Sequence, residues 1–480
     1  MKRHIVFVHG YSVTSLDTYG QLPERLAAEA AFKKFQISIS DLYLGSYISF
    51  NDDVTLDDLS RAFELACRNQ LLTDDLKTFV CITHSTGGPL IRNWLRLYYS
   101  KSPETCPMSH LIMLAPPNHG SALAQLGKGR LSRIRSWIDS VETGQKVLDW
   151  LELGSSEAWR LNTDWIRNGA RFTANNVFQF VITGQDIDRK FYDHLNSYTG
   201  EVGSDGVVRV ASANLNSRLI RLQQQAGGDL QIISIETAPS SPLRIVSQVS
   251  HSNKNMGIMR SIAAAPGKTR GKETMDALFE CLAVENNKDY SNVIKKFSIE
   301  TEIVQSQSRL ETETTLARSR LHIHDRHCQL IFQLIDSDGK QLTDYDLLLT
   351  NETNDPDGLP SGFFTDRQCN TNKSTLTYYL NYDVITGCPE VIAPSGEILR
   401  AAIKGIQALG LIIKARPNAG PVLFREARFA ASPEFLNAAL HANACTMINI
   451  QLERSLNSQL FTIEKAAEAN RKTDFKKRGK

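Results

Sequence analysis

Residues 78–97, TFVCITHSTGGPLIRNWLRL, contain an apolar run that stops at a serine and then continues as a helical pattern. The β-branched and aromatic residues at 79–82 predict a short buried strand, and the apolar positions of 89–97 recur with the period of a helix. Ser85 lies between them, beside small residues that permit a sharp turn. Such a corner raises a serine hydroxyl above the sheet edge, the arrangement called a nucleophile elbow. Thr83 replaces the first glycine of the usual G-x-S-x-G pattern, so a serine that merely caps the helix is the alternative.

The first strand of the chain ends in a motif that acyl-transfer chemistry would also require. A hydrophobic run leads directly into His9 and Gly10. The tetrahedral intermediate of acyl transfer carries an oxyanion, which two backbone N–H groups can stabilise. We expect the N–H groups of Tyr11 and Thr86 to form this oxyanion hole. An ordinary strand-to-loop turn is the alternative, and it is weakened by the elbow that follows after a predicted helix over 56–72.

A nucleophilic serine also needs a histidine base and an acid that orients the imidazole. After a nucleophile elbow the chain order is serine, acid, histidine. Of the eleven histidines, only His251 follows a plausible acid within the N-terminal half, and a solvated loop histidine is the alternative for it. The acid has two candidates. Asp205 lies in GSDGVV at 203–208, and Asp186 follows a predicted strand over 177–183; Asp205 is favoured, but both remain open.

Four motifs together resemble the PlaB-type bacterial phospholipases A and lysophospholipases, which are α/β-hydrolase lipases. They are THSTG at 83–87, APPNHGS at 115–121, SDGVV at 204–208 and SHS at 250–252. The resemblance extends over the whole chain. It implies hydrolysis of fatty acyl esters of glycerophospholipids by Ser85, Asp205 and His251. It further implies a bacterial protein that associates with membranes and assembles into homo-oligomers.

Three further histidines adjoin these motifs. His119 follows the predicted strand over 111–115 and precedes any suitable acid, so we expect it to brace its loop rather than act as the base. His9 and His84 stand at the ends of the first strand and of the strand before the serine. We expect all three to support the site, with Asp186 as the alternative acid.

The length of 480 residues predicts two domains. We expect an α/β-hydrolase domain over 1–265 with a mostly parallel sheet, a linker and helix over 266–297, and an all-β, sandwich-like domain over 298–480 that ends in a basic tail. Residues 121–176 predict a helical insertion that holds four of the five tryptophans. Its tryptophan and arginine residues suit a lid at a lipid surface, and helices that simply pack on the sheet are the alternative.

Composition limits the remaining possibilities. The net charge is +2, which predicts no nucleic-acid partner, and the eight cysteines are scattered without a C-x-x-C pair, which favours buried thiols. The first strand begins almost at Met1, so we expect no signal peptide, and no apolar run is long enough to span a bilayer. We therefore expect that any membrane contact is peripheral. With the membrane association that the resemblance implies, the expected location is the outer membrane or cell surface, and the cytoplasm is the alternative. The chemistry needs no metal or organic cofactor.

Two other functions fit the same residues. A soluble carboxylesterase or thioesterase would use the same serine, histidine and acid. An interaction protein with an inactive hydrolase domain would use the β-rich half to bind partners. In either case the tail at 471–480, with six basic residues against one acid, is a candidate contact with anionic lipid or a solvated tail.

Overall fold

The structure is a computed structural model that describes residues 1–9, 16–49, 51–71, 77–127, 144–187, 201–269, 271–307, 310–314, 319–420 and 422–456. The strands, in chain order, are β1 Lys2–His9, β2 Gln36–Tyr43, β3 Phe79–His84, β4 Met108–Leu114, β5 Phe178–Gly184, β6 Arg218–Gln224, β7 Leu230–Thr237, β8 Leu243–Val246, β9 Leu310–Thr314, β10 Ser319–Ile323, β11 His327–Asp336, β12 Tyr345–Thr350, β13 Phe364–Cys369, β14 Thr375–Asn381, β15 Val391–Ile392, β16 Ile398–Arg400, β17 Leu409–Ala415, β18 Val422–Phe424, β19 Ala427–Ser432, β20 Cys445–Leu452 and β21 Arg454–Leu456. The α-helices are α1 Leu22–Ala30, α2 Leu56–Gln70, α3 Gly87–Tyr99, α4 Ala122–Gly127, α5 Gln145–Leu151, α6 Ser156–Ala174, α7 Val210–Ala213, α8 Lys272–Leu282, α9 Asn287–Gln307, α10 Tyr382–Thr386 and α11 Pro433–Ala439, and three short 3-10 turns lie at Leu16–Tyr19, Leu44–Ser46 and Pro103–Thr105.

The N-terminal half is built on a parallel sheet of six strands in the order β2-β1-β3-β4-β5-β8. Side chains alternate between the two faces of a strand. Val6 and Val8 pack with α2, α3 and α6 on one face, and Ile5 and Phe7 pack with α1, α8 and α9 on the other. The result is a three-layer α/β/α domain. Its inner strands β3, β4 and β5 are buried on both faces, which explains their largely apolar sequences, whereas the edge strand β2 is mostly exposed or half-buried.

The segment after residue 265 departs from the prediction. It forms two helices, α8 and α9, and α9 continues to Gln307, whereas the β-rich region was predicted to begin at 298. Met275, Leu278 and Phe297 pack in the same core as the first strand, so this segment is a covering layer of the parallel sheet rather than a linker. Polar residues are frequent in α9, so its apolar residues do not form a clear helical pattern in the sequence, and its full extent was not predicted.

A second sheet of six strands has the order β13-β14-β11-β20-β6-β7. Its strands β6 and β7 come from 218–237, inside the range predicted to belong to the hydrolase domain alone. β6 pairs in parallel with β20, more than two hundred residues later in the chain. This sheet packs on a three-stranded sheet, β12-β17-β19, across a shared apolar core, and the short helices α10 and α11 interrupt the predicted all-β pattern.

The two halves of the molecule also share buried side chains. Met447 on β20 and Leu219 on β6 belong to the same cluster as Trp94 and Trp165 of the hydrolase half. Because this cluster is continuous, one face of the second sheet packs against the helices that cover the parallel sheet.

Candidate active site

Ser85 occupies the turn between β3 and α3 that the sequence predicted. Its φ of 50° lies in the left-handed region, which is costly for a residue other than glycine and is typical of a strained elbow. The Ser85 N–H donates to the Leu114 carbonyl at 2.9 Å, and this bond anchors the turn to the next strand. Thr83 stands where the usual pattern has a glycine, and it packs closely on Gly87. A Cβ on Gly87 would lie 3.1 Å from the Cβ of Thr83, so a side chain at 87 would require Thr83 to shift.

The serine, histidine and one aspartate form a continuous chain of hydrogen bonds. Ser85 Oγ lies 3.1 Å from His251 Nε2, and His251 Nδ1 lies 2.9 Å from Asp205 Oδ2. His251 and Asp205 are each 1% exposed, and Ser85 is 8% exposed. With Asp205 accepting at Nδ1, the lone pair of Nε2 is directed toward the serine hydroxyl, which is the tautomer a general base requires.

The loop at 203–208 fixes the orientation of the Asp205 carboxylate. Its Oδ1 accepts the backbone N–H of Val207 at 3.0 Å and that of Val208 at 2.7 Å, which leaves Oδ2 for the histidine. The His251 N–H also donates to the Asp205 carbonyl at 2.9 Å. Asp186, the other candidate acid, lies elsewhere: its Oδ2 accepts the backbone N–H of Gln248 at 2.7 Å.

The three further histidines, His84, His119 and His9, have different neighbours. His84 Nε2 lies 3.1 Å from the His251 carbonyl, and its ring is 4.8 Å from the His251 ring. Burial, and then the neighbouring charge of His251, hold the pKa of His84 well below its usual value, so it is neutral. His119 is bonded to the Ser212 carbonyl at 3.2 Å, and burial lowers its pKa to about 3. His9 Nε2 lies 2.9 Å from Asp41 Oδ1 at the end of β1.

Of the two residues predicted to form the oxyanion hole, Thr86 lies among the described residues. Thr86 directly follows Ser85 and has helical backbone angles at the start of α3, where N–H groups lack partners within the helix. A helix N-terminus favours negative charge, so this position suits an oxyanion. Tyr11 lies outside the described residues, and its assignment stays a prediction.

A narrow apolar cleft opens beside Ser85. Its lining residues are Ser85, Thr86, Pro117, Ser121, Leu123, Ala124, Leu148, Leu151, Val207 and Val208. Leu148 and Leu151 come from α5, within the insertion predicted over 121–176. A cleft with largely apolar walls that has the reactive serine among its lining residues is suited to an alkyl chain attached to a reactive carbonyl.

The predicted insertion packs closely on the hydrolase core in its described part. Trp150 and Trp165 are 2% and 4% exposed, and both belong to the cluster on the α2–α3 face of the sheet. Trp165 Nε1 donates to the Leu215 carbonyl at 3.1 Å. These faces match the packing alternative. Trp137 and the arginines near it lie outside the described residues, so a lid role for that part stays a prediction.

Arg209 and Tyr379 stand next to the Asp205 loop, and the sequence analysis did not single them out. Arg209 is 2% exposed, although it is charged, and its guanidinium lies 4.1 Å from the centre of the Tyr379 ring. A signal was present in the sequence, since Arg209 interrupts the apolar run at 207–211. Nothing in the sequence pointed to Tyr379, which lies 170 residues further along the chain.

The described part of the chain contains no cluster of His, Cys, Asp and Glu side chains able to hold a metal ion. None of the eight cysteines forms a disulfide bond, and only Cys369 is exposed. None of the helices among the described residues is long and apolar enough to cross a membrane.

A six-stranded parallel sheet covered by helices on both faces, with a serine on the sharp turn after its third strand, defines an α/β hydrolase. Two solved structures are similar to this chain over nearly its whole length. Phospholipase PlaB from Legionella pneumophila is 42% identical with a TM-score of 0.85, covering 97% of this chain and 96% of that one. The same phospholipase in complex with thio-NAD is 40% identical with a TM-score of 0.84, covering 97% of both chains. The chain therefore belongs to the PlaB phospholipase family. No family model matches the sequence, and no curated protein matches it.

Proposed function

We propose that this protein is a phospholipase A and lysophospholipase that cleaves fatty acyl esters through Ser85, His251 and Asp205. One observation carries the proposal: the hydrogen-bonded chain from Ser85 Oγ through His251 to Asp205 ends at an apolar cleft. Membership of the PlaB family supports the lipid substrate, because the two relatives named above are phospholipases.

The proposed reaction follows from the positions of the atoms. Ser85 Oγ attacks the ester carbonyl while His251 Nε2 takes its proton, and Asp205 stabilises the imidazolium that forms. The carbonyl oxygen becomes an oxyanion held by the Thr86 and Tyr11 N–H groups. His251 then returns the proton to the leaving alcohol, which is the lysophospholipid or the glycerophosphodiester. Water, deprotonated by the same histidine, hydrolyses the acyl-serine and releases the fatty acid.

The test compares a substrate panel with covalent labelling. Hydrolysis of a phospholipid, a lysophospholipid, a triacylglycerol and an acyl thioester is measured alongside labelling by a fluorophosphonate. We expect activity on the first two substrates, and Ser85→Ala is expected to abolish both hydrolysis and labelling. Ser60→Ala, in the buried part of α2, is the matched control that should retain both. Preference for the thioester or for a short soluble ester would favour the esterase alternative, and absence of labelling in the unchanged protein would favour an inactive hydrolase domain.

We further propose peripheral membrane contact and assembly into homo-oligomers. β7 is an edge strand of the second sheet, and Ile233 and Ile235 on it are 55% and 39% exposed, which suits pairing with another chain. The basic tail at 471–480 is outside the described residues and is the proposed lipid contact. Light scattering after size exclusion tests the oligomer. Unchanged liposome binding after deletion of 471–480 would remove the tail from the proposal.

A further inference from the structure

A buried ion cluster joins the loop that carries Asp205 to the second sheet. Arg209 donates to Glu201 at 2.6 and 2.9 Å, within the same loop region, and to Asp366 on β13 at 2.5 Å. It also donates to Gln329 on β11 at 3.4 Å. Burial disfavours the guanidinium charge, but the facing carboxylates outweigh that effect and raise the pKa of Arg209. A buried charge that lost one of these partners would be strongly unfavourable, so the cluster holds both sides together.

Tyr379 on β14 makes a second connection to the same loop. Its hydroxyl lies 3.0 Å from the Val202 carbonyl and 3.1 Å from the Gly203 carbonyl. The contact is tight: Gly203 has a φ of 77°, and a Cβ there would lie 2.5 Å from the Tyr379 hydroxyl oxygen. The tyrosine is 0% exposed, and its ring also stacks on His327 at 4.7 Å. Its position is therefore fixed by packing as well as by hydrogen bonds.

The β13–β14 hairpin also contacts the segment that follows α5. The Thr375 hydroxyl donates to the Gly154 carbonyl at 2.9 Å, and the Thr371 N–H donates to the Glu152 carboxylate at 3.1 Å. This segment directly follows Leu151, which lines the cleft beside Ser85. One hairpin thus touches the backbone on both the acid side and the cleft side of the site.

We propose that the β13–β14 hairpin positions the catalytic acid, with Tyr379 and Asp366 as positioning residues that act through the loop at 201–209. The inference rests on the proposed function, since it assigns Asp205 as the acid. The second domain is thereby a structural part of the active site rather than a separate binding module. The loop also has a hydrogen bond of its own, from the Asp205 N–H to the Val208 carbonyl, and one from the Ser121 hydroxyl to the Val207 carbonyl. The hairpin adds the partners of Arg209, Val202 and Gly203 on either side of Asp205.

Two adjacent tyrosines provide a matched test. Tyr379→Phe removes the hydroxyl that holds Val202 and Gly203 but keeps the ring. Tyr378→Phe removes another buried hydrogen bond, from the Tyr378 hydroxyl to the Leu347 carbonyl at 2.5 Å, on the opposite face of the same strand. We expect Tyr379→Phe to lower kcat on a lysophospholipid by about tenfold with KM changed by less than about twofold. Tyr378→Phe should leave both within about twofold.

A second pair keeps the test decisive if either tyrosine variant folds poorly. Asp366→Asn weakens the bond to Arg209, and Asp383→Asn weakens an ion pair of the same length, 2.5 Å, with the more exposed Arg326 in the same domain. We expect only Asp366→Asn to lower kcat. The positioning role would be overturned if kcat fell equally in Tyr379→Phe and Tyr378→Phe and also equally in Asp366→Asn and Asp383→Asn. Such a result would reflect general destabilisation. Ser85→Ala separates the two hypotheses: if it retains activity the proposed function fails, whereas an inactive Ser85→Ala with equal pairs contradicts only the hairpin.

Discussion

Replacement of Asp205 by asparagine should place the histidine in the wrong tautomer, and the geometry of the loop gives the size of the effect. Oδ1 accepts two backbone N–H groups, from Val207 and Val208. An asparagine must keep its carbonyl oxygen at that position, because the flipped amide would lose two hydrogen bonds of about 1 kcal/mol each. Its NH₂ group would then face His251 Nδ1. The imidazole would carry its proton on Nε2, directed at Ser85, and could not accept the serine proton.

A flipped amide about 2 kcal/mol higher in free energy is about thirtyfold less populated, and the charge that stabilises the imidazolium is also lost. Together these effects predict a fall in kcat of about 10⁴-fold, or about 5 kcal/mol of barrier. The assay is steady-state hydrolysis of a lysophospholipid, with thermal unfolding measured on the same samples to show that the variant is folded.

Asp186→Asn is the matched control. Its Oδ2 accepts the backbone N–H of Gln248, which an asparagine carbonyl can still accept. We expect kcat within about threefold of the unchanged protein. A larger loss for Asp186→Asn than for Asp205→Asn would refute the assignment of the acid and the tautomer reasoning with it.

Four other perturbations have defined outcomes. Gly88→Ala should lower the free energy of unfolding by about 1–3 kcal/mol in urea titrations, because its Cβ would lie 2.8 Å from the Pro116 side chain. Gly227 has open space around it, so Gly227→Ala should leave this free energy unchanged. Equal effects of the two substitutions would contradict the packing argument. Burial lowers the pKa of His110 to about 3, so the unfolded chain binds a proton at a higher pH than the folded protein, and the free energy of unfolding falls as pH falls from about 6.5 toward 3. In urea unfolding at pH 4–7, His110→Gln should reduce the dependence of this free energy on pH by up to about 1.4 kcal/mol per pH unit. An unchanged dependence would show that His110 does not contribute. Leu148→Phe should narrow the cleft and lower kcat/KM for long acyl chains more than for short ones in a chain-length series, whereas equal reduction would place the acyl chain elsewhere. Treatment with EDTA should leave kcat within about twofold, since serine, imidazole and carboxylate supply the proposed chemistry, and a loss restored by a divalent cation would contradict the cofactor-free mechanism.

The secondary structure around Ser85 could be predicted from the sequence because it depends on residues that are close together in the chain. A β-branched run, a serine, small residues and a helical period fall within twenty positions, and together they predict the strand, the turn and the helix around Ser85. The helix predicted over 56–72 is α2, Leu56–Gln70, and begins at a capping box on Thr55. These features are set by backbone propensity and side-chain periodicity, which act over a few residues.

Pairing between distant segments was the main thing the sequence did not reveal. The range 1–265 was predicted to belong to the hydrolase domain, and nothing local showed that β6, inside that range, pairs with β20 instead of joining the parallel sheet. A helix within 266–297 was predicted, while the second helix and the packing of both on the first strand were not. Such contacts depend on which surfaces meet after the chain has folded.

The sequence alone predicted a sharp turn at Ser85, predicted His251 as the histidine that follows an acid, and showed a resemblance to the PlaB-type phospholipases. Only the tertiary structure brought Asp205 within 2.9 Å of His251 and placed Asp186 against Gln248. It also brought Tyr379 to the acid loop from a distant strand. The physical reason is that propensity acts along the chain, whereas hydrogen bonds between loops form only where separate packed elements hold their ends together.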